Sequence, residues 1–127
     1  MKLRIKGNSL RLRVTRSELA TLIDTGRIEE TIYFGSSEAS RLTYALEHEP
    51  KLTGATVRYQ PCQVAVVLPE REATAWAESG LVGIYATVDL GPVGGLDLIV
   101  EKDFACLDLS DADNLDTFPN PVAGVCP

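Results

Sequence analysis

The chain has 127 residues, 45% of them hydrophobic, and a net charge of -6; this predicts one soluble globular domain spanning 1–127, with no room for a second. The longest apolar run, Val64 to Leu68, is far short of the ~20 residues a bilayer span needs, and the basic start lacks a signal peptide's apolar stretch, so a cytoplasmic protein and no membrane partner are expected. Three cysteines at scattered spacings fit neither a disulfide framework nor a zinc rule, which leaves Cys106 and Cys126 as a weak candidate pair for a metal or a disulfide.

Leu3 to Ile5 and Leu10 to Val14 alternate apolar and polar residues around the turn Gly7-Asn8-Ser9, the pattern of a hairpin. Leu3, Ile5, Leu10 and Leu12 are expected to face inward. Thr15 with Glu18 three residues later reads as a capping box, Leu19, Leu22 and Ile23 form a helical stripe, and Gly26 suits a left-handed C-cap. A second hairpin follows, Ile28 to Phe34 and Leu42 to Glu47, around a Gly/Ser-rich turn. The same series then recurs: strands at Thr56 to Gln60 and Gln63 to Leu68, a helix opened by Pro69 and closed by Gly80, and strands at Val82 to Asp89 and Leu96 to Lys102.

Residues 3–48 and 57–102 align without a gap at an offset of 54, with apolar positions on apolar positions and the same changes of period. The chain therefore reads as a duplicated strand-strand-helix-strand-strand unit: 1–54, 55–103, and an irregular acidic tail at 104–127. Neither unit can cover both of its hairpins alone, so the expected fold is mainly β with two short helices (α+β), the units interlocked into a closed pseudo-two-fold barrel. A duplicated unit also removes the obvious reason to dimerise, and a monomer is expected.

Charge is divided unevenly along this repeat. Lys2, Arg4, Lys6, Arg11, Arg13 and Arg16 give the first sixteen residues six cations and no acid, while the rest of the chain holds six bases against 18 acids. The tail carries Asp108, Asp111, Asp113 and Asp116 and no base, so it could cover the basic head.

The stretch from Ile5 to Val14, with Gly7-Asn8-Ser9-Leu10, resembles the opening hairpin of the AbrB/MazE family of transcription factors and antitoxins. The resemblance implies a swapped-hairpin barrel, here as a covalent pseudo-dimer, with Asn8, Ser9, Arg11 and Arg13 in the DNA-contacting region. The second unit departs from the motif: Tyr59-Gln60-Pro61-Cys62-Gln63 replaces the Gly-Asn-Ser turn, and Ala65 and Val67 stand at the places of Arg11 and Arg13. End to end the chain also resembles a group of short bacterial proteins through Glu101 to Leu107 and Phe118-Pro119-Asn120-Pro121.

Three functional readings follow. The first is a non-enzymatic interaction or regulatory module whose face of Arg4, Lys6, Asn8, Ser9, Arg11 and Arg13 meets DNA or a protein partner. The second is a metal-binding protein or small metal-dependent hydrolase using the repeat-related pairs Glu47/Glu49 and Glu101/Asp103. The third is an antitoxin-like protein-binding module acting through its acidic tail. No catalytic residue and no cofactor are expected, because the chain has one histidine, His48, and lacks a nucleophile elbow, a P-loop or a dinucleotide fingerprint.

Overall fold

The computed structural model describes residues 1–104 and 116–119. It contains β1 (Lys2–Ile5), β2 (Ser9–Val14), α1 (Arg16–Thr25), β3 (Arg27–Tyr33), β4 (Arg41–Glu49), β5 (Thr56–Gln60), β6 (Gln63–Pro69), α2 (Glu70–Glu78), β7 (Gly83–Asp89) and β8 (Gly95–Lys102). Single 3-10 turns at Glu38–Ser40 and Gly91–Val93 lead into β4 and β8. Among the described residues no helix is long and apolar enough to cross a membrane.

The strands form two four-stranded sheets, β1-β2-β8-β7 and β3-β4-β6-β5. Each joins two antiparallel hairpins through a parallel central pair. In the first sheet Ser9 pairs with Asp97 and Val14 with Lys102; in the second, Gln63 pairs with Thr43 and Leu68 with His48. Both central pairs therefore join a hairpin from residues 1–54 to one from 55–103.

The core takes side chains from both sheets and both helices. Leu12, Val14, Ile84, Leu98 and Val100 come from the first sheet, Leu46, Val66 and Leu68 from the second, Leu19 and Leu22 from α1, and Ala73 and Trp76 from α2. Trp76 is fully buried, and its indole nitrogen donates to Val82 O at 3.1 Å, which satisfies the ring's one polar atom.

The expected α+β class holds, but the described strands do not close a barrel. Their ladders end at β1 and β7 in one sheet and at β3 and β5 in the other. Among the described strands no ladder links the sheets, since the parallel pairs use the inner edges of the hairpins. Ile5, expected inside, is exposed, since it ends a four-residue edge strand whose partner there is Leu10.

Helix α1 begins with the expected capping box. Glu18 N donates to Thr15 Oγ1 and Thr15 N donates to Glu18 Oε1 at 2.9 Å, while Gly26, at φ +86°, donates its N–H to Leu22 O. Helix α2 ends otherwise than expected: Ser79 turns out into extended backbone, and Gly80 is not left-handed. Lys102 Nζ donates to Ser79 O at 2.7 Å, supplying a partner for a carbonyl at the helix end.

Residues 116–119 return to the body. Asp116 accepts through its backbone from Arg16 N and through its carboxylate from Ser17 N and Ser17 Oγ, at the start of α1. Those bonds, the Ser17 hydroxyl's first, hold the Asp116 carboxyl below its ordinary range. Phe118 bridges to Phe104 and packs edge-on against its ring with centroids 6.0 Å apart. Cys106, Cys126, Asp108, Asp111 and Asp113 lie outside the described residues, and with them the proposed cysteine pair and most of the acidic tail.

Candidate nucleic-acid interface

The β1–β2 hairpin gathers its cations because both strands alternate in phase. Lys2 stands opposite Arg13 and Arg4 opposite Arg11, with Leu12 and Val14 turned to the core. Like charges directly opposed on a ladder destabilise it. Relief comes from the neighbouring β8. Glu101, in register with Arg13, accepts from Arg11 Nε at 2.6 Å and from the Tyr85 hydroxyl at 2.7 Å. Asp103, itself buried, accepts an ion pair from Lys2 Nζ at 2.9 Å.

Partial burial, followed by repulsion from Arg11, lowers the pKa of the Arg13 guanidinium. Arg4 and Lys6 are exposed and have no ion-pair partner among the described residues. The net result is a narrower basic surface than the sequence advertises, with Arg4 and Lys6 at its open margin.

The hairpin tip is held by its own polar side chains. Gly7 takes φ +54°, Ser9 Oγ donates to Lys6 O at 2.6 Å, and Asn8 Nδ2 donates to Gly95 O at 2.7 Å, which ties the tip to the start of β8. Asn8 and Ser9 thus have structural work among the described contacts, and any contact with a ligand would use their remaining acceptor capacity.

The repeat-related carboxylates do not converge. Glu47 and Glu49 lie on β4 of the second sheet, Glu101 on β8 of the first, with Asp103 following it. Each is paired with a cation: Arg27 and Arg58 grip Glu47, Arg58 also reaches Glu49, Arg11 holds Glu101 and Lys2 holds Asp103. Among the described residues no three potential metal ligands cluster. His48 has both ring nitrogens buried and without a hydrogen-bond partner among the described residues.

Two features escaped the sequence. Tyr85 crosses from β7 to Glu101, and burial followed by that hydrogen bond pushes its phenol up to about 12. On the second sheet, Arg27, Glu47 and Arg58 line a cleft of about 460 Å³ together with buried Ala65 and with Tyr59, Gln60 and Gln63. The matched identities Arg4/Arg58 and Glu47/Glu101 were a signal for both, yet they do not behave alike: Arg58 bonds Glu47, whereas Glu101 takes Arg11.

No curated protein and no solved structure matches the chain. A family model does match residues 1–122, covering both hairpin-helix-hairpin series and most of the tail, and by that match the chain belongs to DUF7009, a family of unknown function.

Proposed function

We propose that the protein is a non-enzymatic cytoplasmic binding module, a duplicated unit in the AbrB/MazE-like swapped-hairpin manner, whose basic β1–β2 face engages the phosphate backbone of duplex DNA. The observation that carries the reading is the cationic row itself: Lys2, Arg4, Arg11 and Arg13 on adjacent strands, with Lys6 at the turn. Five cations on a hairpin of two short strands are more than a solvated face needs, and placing like charges opposite each other costs stability that an anionic ligand would recover. The duplication is supported by the two central parallel pairs, whose registers differ by the same offset of 54.

The reading assigns positioning to phosphate contacts by Arg4 and Lys6, with Arg11 and Arg13 available once Glu101 gives way. Asp116 meets the basic head at Arg16 and Ser17, at the start of α1, and among the described residues no carboxylate pairs with Arg4 or Lys6. The test is binding of the full chain to mixed-sequence duplex DNA across a salt series. Association should weaken steeply with salt, and the double variant Arg4→Ala/Lys6→Ala should flatten the log-log slope by about 1.8, from ~0.9 per phosphate contact. Arg58→Ala, on the other sheet, should leave the slope unchanged. Absence of binding at low salt would end the DNA reading.

A further inference from the structure

Among the described residues the two sheets have four open edges, and these are not equally defended. Natural edge strands usually carry charges that discourage pairing with another chain. Three edges here obey: β1 has Lys2 and Arg4, β3 has Arg27, Glu29 and Glu30, and β5 has Arg58 at its centre. The fourth, β7, reads Gly-Ile-Tyr-Ala-Thr-Val-Asp and bears no charge before its last residue.

Exposed apolar side chains gather along the same edge. Of ten large hydrophobic residues left exposed among those described, five fall between Leu81 and Val93: Leu81, Val82, Tyr85, Leu90 and Val93, the last at 80% exposure. They flank the strand at both ends and mark its middle.

We infer that β7 is a self-association edge, pairing antiparallel with β7 of a second copy about an axis through Ala86. Such a pairing sets Tyr85 against Thr87 of the other copy, Ile84 against Val88, Gly83 against Asp89 and Ala86 against itself. No like charges oppose, and the outward pair is aromatic against β-branched, a favourable cross-strand combination.

The same operation fails on the other edges. It sets Glu30 against Glu30 on β3 and Arg58 against Arg58 on β5, and on β1 it crowds Lys2 and Arg4 from both copies onto one short ladder. Charge therefore selects both the edge and the occupant. Covalent duplication meets the need for hairpin exchange within the chain, and among the described residues this outer edge has no partner. The result is a continuous sheet running β1-β2-β8-β7 and back through the second copy. This inference is independent of DNA binding.

Sedimentation equilibrium of the full chain from micromolar to near-millimolar concentration tests it. The mass should rise from one chain toward two, and amide exchange across Gly83 to Asp89 should slow as it does. Thr87→Lys puts a cation near the axis, where its copy repels it, at an exposed position of β7 with room for a long side chain, so the fold is kept. That variant should be monomeric at every concentration with an unchanged circular dichroism spectrum. Tyr33→Lys, at the repeat-related position on β3, should leave association intact. A wild-type chain that stays monomeric throughout overturns the inference, and so does a dimer that survives Thr87→Lys, since its contact would lie on another face or involve another partner's strand.

Discussion

Where the first sheet carries half-buried Arg11 and Arg13 on β2, the second has Ala65 and Val67, both buried, at the matching points of β6. The pairing of strands is the same, hairpin to parallel centre to hairpin, and the inward residues serve one core. The inward residues stay apolar in both, whereas the outward ones change in chemical character. On the first sheet Arg11, beside Arg13, is held by Glu101 on β8; on the second, Arg27 and Arg58 reach in from the edge strands to share Glu47. One backbone plan thus carries two unrelated surfaces, because strand alternation lets outward positions change without disturbing the core.

The sharpest test of the shared plan is in that core. Trp76 on α2 and Leu22 on α1 occupy corresponding helix positions, and both are fully buried. Trp76→Ala removes an indole and leaves Val82 O without its donor, and should cost about 3–5 kcal/mol; Leu22→Ala should cost about 2–5 kcal/mol. Urea unfolding followed by circular dichroism measures both. If the core is shared, each variant lowers the midpoint of a single transition, whereas separate transitions for the two units would break the comparison.

Next in size is Gly83, the first residue of β7. A Cβ there would lie 2.3 Å from Val100 O and 2.9 Å from the Glu101 side chain, so the ladder beside it must shift. Gly83→Ala should cost about 1–3 kcal/mol by overpacking. Its counterpart on β3 is Glu29, exposed, and Glu29→Ala should stay within about 0.5 kcal/mol. Thermal unfolding of the two variants side by side reads the difference, and equal shifts would mean that β7 can move away from β8 at little cost.

Smaller effects separate the two ionic arrangements. Glu101→Gln leaves Arg11 beside Arg4 and Arg13 with its partner neutralised, and should cost about 1–3 kcal/mol. The loss should shrink in high salt, which screens the repulsion. Glu47→Gln frees Arg27 and Arg58, which are partly exposed and can take up water, so about 1 kcal/mol is expected with little salt dependence. Denaturant titrations at low and high salt decide it. Matching salt dependence in both variants would show that the first sheet's cations are not under strain.

Much of this scaffold was legible because it depends on local pattern. Period-2 alternation at Leu10 to Val14, the Thr15/Glu18 box and Gly26 each act within a few residues, and each element formed where its pattern stood. The end of α2 was not legible, because its terminal carbonyl is served by Lys102, a residue 23 positions along the chain from Ser79. The candidate face was half legible: alternation put the cations of β1 and β2 together, but their neutralisation by Glu101 and Asp103 depends on the parallel β2–β8 pairing, which no local signal encodes. For the same reason the unguarded character of β7 emerges only once the edges are known.

Each sheet also holds one phenol against a carboxylate, and the pair allows a finer comparison. The Tyr44 hydroxyl donates to Glu30 at 2.8 Å on the second sheet and the Tyr85 hydroxyl to Glu101 at 2.7 Å on the first. Burial, then the hydrogen bond to the carboxylate, pushes each phenol from its ordinary 10.0 up to about 12. Between those values the unfolded chain has lost a proton that the folded chain retains, so stability falls with rising pH; the contribution is complete below pH 10 and gone above 12. Lys102, lowered by burial from its ordinary 10.5, pulls the other way just below that value, equally in every variant. Tyr44→Phe and Tyr85→Phe should each flatten the alkaline decline while costing about 1 kcal/mol at neutral pH for the lost bond. The flattening should be similar in the two variants, since both phenols are pushed up to about 12. Denaturant midpoints from pH 9 to 12 measure the slopes, and an undiminished decline in both variants would place the alkaline sensitivity outside the two sheets' phenol–carboxylate pairs.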